Sequence, residues 1–505
     1  MFKLRDYQSH GKNLTYTLIR QGKKQILYWL PTGGGKGLAM SDFAHDVTSR
    51  GKKCLVIMRR RELIFQTKLN FEKYHRHDCS VIMGSEKGFD PNKNVQICSI
   101  DTLRNREIDF LKAFDVVIID ECHDTNSQTY QRIIEFLGDK IFIGFTATPF
   151  TVGGKPLKFW QDVVQPIDAA EMRDRGFLSH DVTFAPATQI DVRGLELSST
   201  GDFRESDLFD RAKNSVIVGD IVKTWVEKGE NRPTLLFCVN KEHSKLMTAA
   251  FILAGVPTIH LDESTTSEER KIAINKLKTG EVKILSSIGI LTTGVDIPQV
   301  SCLIMARPTQ SEVVYIQSVG RGLRPFKICG DCGLEFGAEK QCLKCKSENY
   351  RFQKDFCIIL DHSGNVFRHG LPFDKRVAKL GNDETKSKSG EKPDVAIKTC
   401  EQCFVVYSPS LDCCPVCGTV SKTKNVIKEK SGELRLVDEE TTRKFKLNKC
   451  HSSLQNLKLR QRWFNWKENA VWFKLHKECG DMIFEFEEQL GVPRWLKKVI
   501  KGNNL

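Results

Sequence analysis

Nowhere in this chain do roughly eighteen apolar residues run together, the length that a membrane-spanning helix needs. The opening Met1-Phe2-Lys3-Leu4-Arg5 lacks the apolar core of a cleavable export signal. The expectation is a soluble chain with no membrane partner, working in the cytoplasm of a bacterial or phage-infected cell. Negative charge is short: 63 Asp and Glu face 77 Lys and Arg, leaving a net charge of +14. Such an excess repels itself unless a polyanion is near, although solubility alone is the blander explanation. There is no clustered Asp…Glu-x-Lys nuclease signature, so strand cleavage would need a partner. Apolar side chains are almost missing from 381–393, which marks a linker.

What is present is alternation. A chain of 505 residues exceeds one hydrophobic core, so two to four domains are expected. Short Val/Ile/Leu-rich runs at Gln25–Leu30, Cys54–Met58, Val95–Ile100, Val116–Asp120 and Ile141–Thr146 are separated by helical stretches. A second series follows at Thr234–Val239, Thr258–Leu261, Lys283–Ser287, Val300–Ala306 and Phe356–Leu360. Alternation of this kind predicts an α/β chain of two tandem parallel-sheet lobes, with ligand loops at the carboxyl ends of the strands.

Cysteine is plentiful, with 18 in all. Cys329-x-x-Cys332 and Cys342-x-x-Cys345 form one zinc-ribbon spacing, and Cys400-x-x-Cys403 with Cys414-x-x-Cys417 forms another. Each set closes a four-thiolate site with no open position, so two structural Zn²⁺ ions are predicted rather than catalytic ones. Disulfides or free thiols are the alternative. Tight turns are expected at Gly330 or Gly333 and at Gly418, and Cys414 fits the register better than Cys413. Cys54, Cys98, Cys238 and Cys302 sit in apolar runs and read as core.

Two further segments carry chemistry. Pro31-Thr32-Gly33-Gly34-Gly35-Lys36-Gly37 follows an apolar run, as a glycine turn does when its backbone N–H groups wrap phosphates and its Lys adds a point charge. Asp120 and Glu121 end another apolar run, where they would hold Mg²⁺ and activate water. The loop departs from the usual pattern at Gly37, where a hydroxyl normally meets the metal; Thr32 and Ser41 are nearby in sequence. Upstream, Arg5, Tyr7 and Gln8 offer an aromatic face and an amide able to read adenine's edge. In Gln317-Ser318-Val319-Gly320-Arg321-Gly322-Leu323-Arg324 two arginines three apart are read as sharing one face at a helix start, reaching a γ-phosphate from the other lobe.

These segments, with Arg61–Gln66, Ser99–Leu103, Thr146–Pro149 and Leu291–Asp296, resemble in order the DECH-box helicases of superfamily 2, over roughly residues 1–370. The cysteine modules after the arginine segment, and Leu360–Asn365 after the first of them, are most similar to RadD-like bacterial repair helicases and phage branch-migrating helicases. The resemblance implies RecA-like lobes, ATP with Mg²⁺, and DNA as partner, branched or carrying single-stranded regions. Single-strand-binding or recombination proteins are implied as further partners. It makes Glu121, Gln317, Arg321 and Arg324 catalytic and places Gly294 and Asp296 in the interlobe cleft. Thr146 and Thr148 would couple hydrolysis to lobe movement, and residues around Arg59–Gln66, Thr102 and Thr292 would touch the nucleic-acid backbone.

The expected organisation is a first lobe at 1–150, a connection at 151–215, and a second lobe at 216–380 with a zinc insertion at about 326–350. A linker at 381–396, a second ribbon at 397–425 and a basic aromatic region at 426–505 complete it. In that last region Trp463, Phe464, Trp466, Trp472 and Phe473 interleave with cations, fitting either base stacking or a small helical core. The expected activity is ATP-dependent translocation on branched recombination or repair DNA. An RNA-directed helicase, a zinc-bearing adaptor with impaired ATPase, and the motor subunit of a restriction complex stand as alternatives.

Overall fold

The computed structural model describes residues 4–59, 61–76, 78–84, 89–105, 109–151, 154–185, 192, 195–196, 198, 202–212, 215–288, 297–339, 341–354, 356–381, 397–400, 402–420, 471–472, 475–476, 490, 492–493 and 496. Contacts divide the chain into a larger unit, Met1–Asp181 with Thr188–Pro393, and a smaller one, Val182–Ala187 with Asp394–Leu505. No described helix is long and apolar enough to cross a membrane.

The larger unit holds two parallel sheets. In the first, seven strands run in the order Cys79–Ile82, Val95–Ser99, Cys54–Met58, Val116–Asp120, Ile141–Thr146, Gln25–Trp29 and Asp162–Val164. Every described pairing in it is parallel. The reason is legible in burial: Cys54–Met58 and Val116–Asp120 are buried at every position, as strands covered by helices on both faces must be. The two edge strands were not expected from sequence. Cys79–Ile82 has only two strongly apolar residues, Val81 and Ile82, and Asp162–Val164 comes from the segment read as an interlobe connection.

The second sheet of this unit orders Thr258–Leu261, Ile284–Ser287, Thr234–Phe237, Cys302–Met305 and Phe356–Asp361, again parallel. These are the five runs anticipated from the sequence, so the fold is the expected tandem α/β arrangement. Cys54, Cys98, Cys238 and Cys302 are buried in strands or at their ends, as core residues should be. Beyond the last strand, Asp361 is fully buried and accepts from the backbone N–H of Ser363 and Val366, while Asn365 accepts from Thr309 N and donates to Arg307 O. Leu360–Asn365 is therefore a buried polar seam.

In the smaller unit, Val405–Tyr407 pairs antiparallel with Lys398–Thr399 and with the end of His180–Phe184. Trp472 is buried, as are Val471 and Leu475. That favours packing over base stacking for Trp472; Trp463, Phe464, Trp466 and Phe473 lie outside the described residues or side chains.

A candidate nucleotide cleft and two four-cysteine clusters

Register brings the chemistry to one edge of the first sheet. Trp29 lies opposite Thr146, and Asp120 opposite Phe145, so the three loops that follow leave the sheet level with each other. After Trp29 the chain turns through Gly33 and Gly35, both at positive φ (+86° and +81°), which only glycine adopts without strain. The Lys36–Ser49 helix then begins with no side chain capping its first turn, an arrangement that leaves N–H groups for an anion. A Cβ at Gly35 would lie 2.6 Å from Gln8 Nε2, so that residue is fixed by packing as well as by backbone.

The amide of Gln8 is spent on this loop. Its Oε1 accepts from Arg5 N at 2.9 Å, and its Nε2 donates to Gly34 O at 3.0 Å and Gly35 O at 3.2 Å. Tyr7 Oη donates to Gly34 O at 3.0 Å. In this structure Tyr7 and Gln8 shape the phosphate loop directly, a role that sequence reading, which gave the amide to adenine, did not anticipate.

Lys36 Nζ meets Glu121 Oε1 at 2.9 Å. Burial opposes the Lys36 charge, yet the Glu121 and Asp120 carboxylates outweigh it and hold its pKa above the ordinary value. Burial likewise opposes ionised Glu121, but the Lys36 ammonium and the neighbouring His123 ring outweigh it and hold Glu121 well below the usual carboxylate range. Asp120 goes the other way: burial, partly offset by Lys36 and reinforced by Glu121, pushes its pKa up to about 6. Glu121 sits at φ 49°, ψ 49°, a left-handed conformation that costs a non-glycine residue about 1–2 kcal/mol.

Behind the carboxylates, His123 Nδ1 lies 3.1 Å from Thr146 Oγ1, and Thr146 Oγ1 accepts from Thr148 N at 3.0 Å. His123 thus joins the Thr146–Thr148 turn, and its Nδ1 lies 3.3 Å from Glu121 Oε2, an oxygen with no hydrogen-bond partner among the described residues. Asp120 Oδ1 is buried with no hydrogen-bond partner among the described residues. An orphaned carboxylate oxygen beside a lysine-bearing phosphate loop fits a hard cation such as Mg²⁺. Gly37 leaves room there, since an added Cβ would find only Asn70 Nδ2, at 3.9 Å. Ser41 does not fill the role of the absent hydroxyl; its Oγ is 2.9 Å from His75 Nδ1.

The second lobe supplies the facing wall. Gln317, Arg321 and Arg324 line the same cleft as Lys36, Asp120 and Glu121. The arginines do not stand at a helix start, as the spacing was read. The Glu312–Val319 helix ends before them, and Arg321 N and Gly322 N close short turns back to Ser318 O and Val319 O. Close packing requires glycine at both positions after the helix: a Cβ at Gly320 would lie 2.8 Å from Thr32, and one at Gly322 would lie 2.4 Å from Cys357 Sγ. Pro325 follows. Pro31 is not among the residues lining this cleft, whereas Arg5 and Thr32 are. Gly294, Asp296 and Thr292 lie outside the described residues. Arg59 pairs with Asp124 at 2.7 Å, and Thr102 Oγ1 accepts from Gly84 N.

The family models match in two stretches. Residues 1–151 match the one described as "Type III restriction enzyme, res subunit", and 216–325 match "Helicase conserved C-terminal domain". The chain belongs to the superfamily 2 helicases. Among relatives of this helicase, a "51.5 kDa protein" of a Lactococcus phage is 27% identical across 80% of this chain and 79% of its own. "Putative ATP-dependent helicase IRC3" of Saccharomyces cerevisiae is 30% identical across 64% of this chain and 49% of its own, so the helicase spans about half of that relative's length. "DNA 3'-5' translocase XPB2" of Sulfurisphaera tokodaii is 22% identical across 64% and 79%.

The cysteines of this helicase gather as two clusters. Cys329, Cys332, Cys342 and Cys345 form one and Cys400, Cys403, Cys414 and Cys417 the other, with the four Sγ atoms of each within 4.8 Å of one another. All eight are unbridged. Four thiols converging without a disulfide fit a tetrahedral zinc site. Cys413 stays outside, paired through its backbone with Val420. Each Cys-x-x-Cys turn is followed by a residue at positive φ whose N–H bonds the first cysteine's carbonyl. These are Gly333 and Gly418, as expected, but also Lys346 and Phe404, where a side chain hid the turn from sequence reading. Gly330 takes no such conformation; it packs against Asn349.

Proposed function

We propose that this chain is an ATP-driven DNA translocase that remodels branched or single-strand-containing DNA during recombination or repair. The observation that carries the reading is the cleft itself, in which Lys36, Asp120 and Glu121 of one lobe face Gln317, Arg321 and Arg324 of the other. ATP would draw Lys36 onto its phosphates. Glu121 would then lose its ammonium partner, rise in basicity and take a proton from the attacking water. Asp120 would hold Mg²⁺, which when bound would neutralise charge on the phosphate oxygens. Arg321 and Arg324 would stabilise the transition-state charge from across the cleft, and Gln317 would orient the reacting groups. The His123–Thr146–Thr148 relay would report phosphate state to the lobe interface. Gly294 and Asp296 would complete the cleft wall, with Arg5, Tyr7 and Gln8 positioning the loop beside the base.

DNA is favoured by the net charge of +14 and by the name of the archaeal relative. The test is phosphate release with single-stranded, duplex, forked and four-way DNA and with RNA, comparing wild type with Glu121→Gln. Strongest stimulation by forked or four-way DNA supports the reading; stimulation by RNA alone sinks it. A motor for a restriction assembly is the second reading, prompted by the family description matching residues 1–151. It predicts turnover that depends on an added nuclease or recognition subunit.

A further inference from the structure

The Cys329–Cys345 module interrupts the second lobe immediately after the arginine turn, and its contacts lie on that turn and on the nucleotide cleft. Its base is a three-stranded antiparallel patch in which Lys327–Cys329 pairs with Glu335–Phe336 and with Tyr350–Phe352. Gln353 N donates to Phe326 O at 3.0 Å, so the chain leaves and returns at one point. The next residue, Lys354, is only 2% exposed. Its ammonium donates to Val300 O at 2.6 Å, to Arg324 O at 2.9 Å and to Gly322 O. Three donors meet three carbonyls, so the buried charge is fully satisfied. Two of those carbonyls belong to the turn that carries Arg321 and Arg324.

The module's outer loop reaches the other lobe. Glu339 Oε1 accepts from Arg5 Nη2 at 3.4 Å, and Arg5 Nη1 donates to Tyr7 Oη at 3.0 Å. Tyr7 in turn donates to Gly34 O of the phosphate loop at 3.0 Å. Lys327 Nζ fixes the loop backbone by donating to Glu339 O at 2.9 Å. Ala338, Glu339 and Leu343 line the same cleft as Lys36 and Glu121.

We propose that the first four-cysteine module is a working part of the ATP site: Lys354 sets the arginine turn, and the Glu339–Arg5 pair latches the module to the phosphate loop. Lys354, Glu339 and Arg5 are positioning residues in this scheme, which rests on reading the cleft as the ATP site. Its consequence is that nucleotide affinity and the integrity of this module are coupled.

The test uses the full-length, zinc-loaded protein. Binding of a fluorescent ATP analogue, kcat and KM for ATP, zinc content, and DNA affinity without nucleotide are measured for each variant. Glu339→Gln weakens analogue binding roughly two- to fivefold, the range of a partly exposed ion pair, with zinc content and DNA affinity unchanged. Arg5→Gln does the same, and the double variant is no weaker than the worse single one, because the two charges act as a pair. Lys354→Met lowers kcat roughly tenfold or more while analogue binding stays within about twofold, as loss of a transition-state contact does. Should Lys354→Met fail to fold, the Glu339 and Arg5 variants still decide the matter. Wild-type affinity in Glu339→Gln, additive losses in the double variant, or a loss confined to DNA binding would overturn the proposal. A wild type that binds no ATP analogue refutes the ATP-site reading instead.

Discussion

At the scale of single residues, the cleft is a set of charges that share a solution to burial. Lys36 and Glu121 are 2.9 Å apart and each keeps the other ionised, whereas Asp120 carries the cost of burial, with the neighbouring Glu121 anion adding to it. Glu121→Gln removes the base but keeps the shape; kcat is expected to fall by about 10²–10⁴, with ATP-analogue affinity retained. The pH profile follows from Asp120. Its pKa, raised to about 6 in the fold, means that the stability this group contributes is complete below the ordinary aspartate value and lost as pH rises through about 6. Metal capture needs the anion and therefore runs in the opposite sense. Turnover at limiting Mg²⁺ is expected to be present above about pH 6 and to fall below it. Raising Mg²⁺ moves that midpoint down, because cation and proton compete; rate profiles at two Mg²⁺ concentrations check this, and a fixed midpoint would remove Asp120 as the metal ligand. Gly37 offers a gain-of-function test. Its nearest neighbour to an added Cβ is 3.9 Å away, so Gly37→Ser folds normally, and the Mg²⁺ giving half-maximal turnover is expected to drop.

At the scale of elements, turns decide the geometry. Gly35→Ala puts a Cβ 2.6 Å from Gln8 Nε2 at φ +81°, so a loss of about 1–2 kcal/mol from the backbone alone is expected on thermal melting, with weaker nucleotide binding. The cysteine knuckles offer the converse. Lys346 and Phe404 adopt φ 61° and 63°, where glycine is easier, so Lys346→Gly or Phe404→Gly is expected to stabilise its module by up to about 1 kcal/mol. Slower zinc release to a chelator would report it. The ten strand runs were legible in the sequence because most of their residues are buried and apolar, bounded by polar or helical stretches. Cys79–Ile82 and Asp162–Val164 were not: the first has only Val81 and Ile82 after Cys79 and Ser80, and the second opens on Asp162 with only Val164 buried. The arginines stand after the Glu312–Val319 helix and not at a helix start, in a turn where Gly320 and Gly322 pack against Thr32 and Cys357, contacts distant in sequence.

At the scale of the whole molecule, the charge balance sets the grip on a polyanion. If backbone phosphates dominate it, the DNA dissociation constant is expected to rise steeply with salt, with a log–log slope of about 0.9 per phosphate neutralised, and to vary little with base sequence. A shallow slope measured by anisotropy would mean that stacking dominates instead. The sequence by itself determined the tandem α/β lobes, the glycine turn ending in Lys36, the Asp120-Glu121 pair and two converging four-cysteine sets, because each depends on residue type at a fixed short spacing. Only the tertiary structure decided that Gln8 and Tyr7 brace the phosphate loop, that Lys354 holds the arginine turn, and that Glu339 reaches Arg5 across 334 residues. An amide, an ammonium or a carboxylate carries no mark in sequence of the partner that burial and strand order will bring to it.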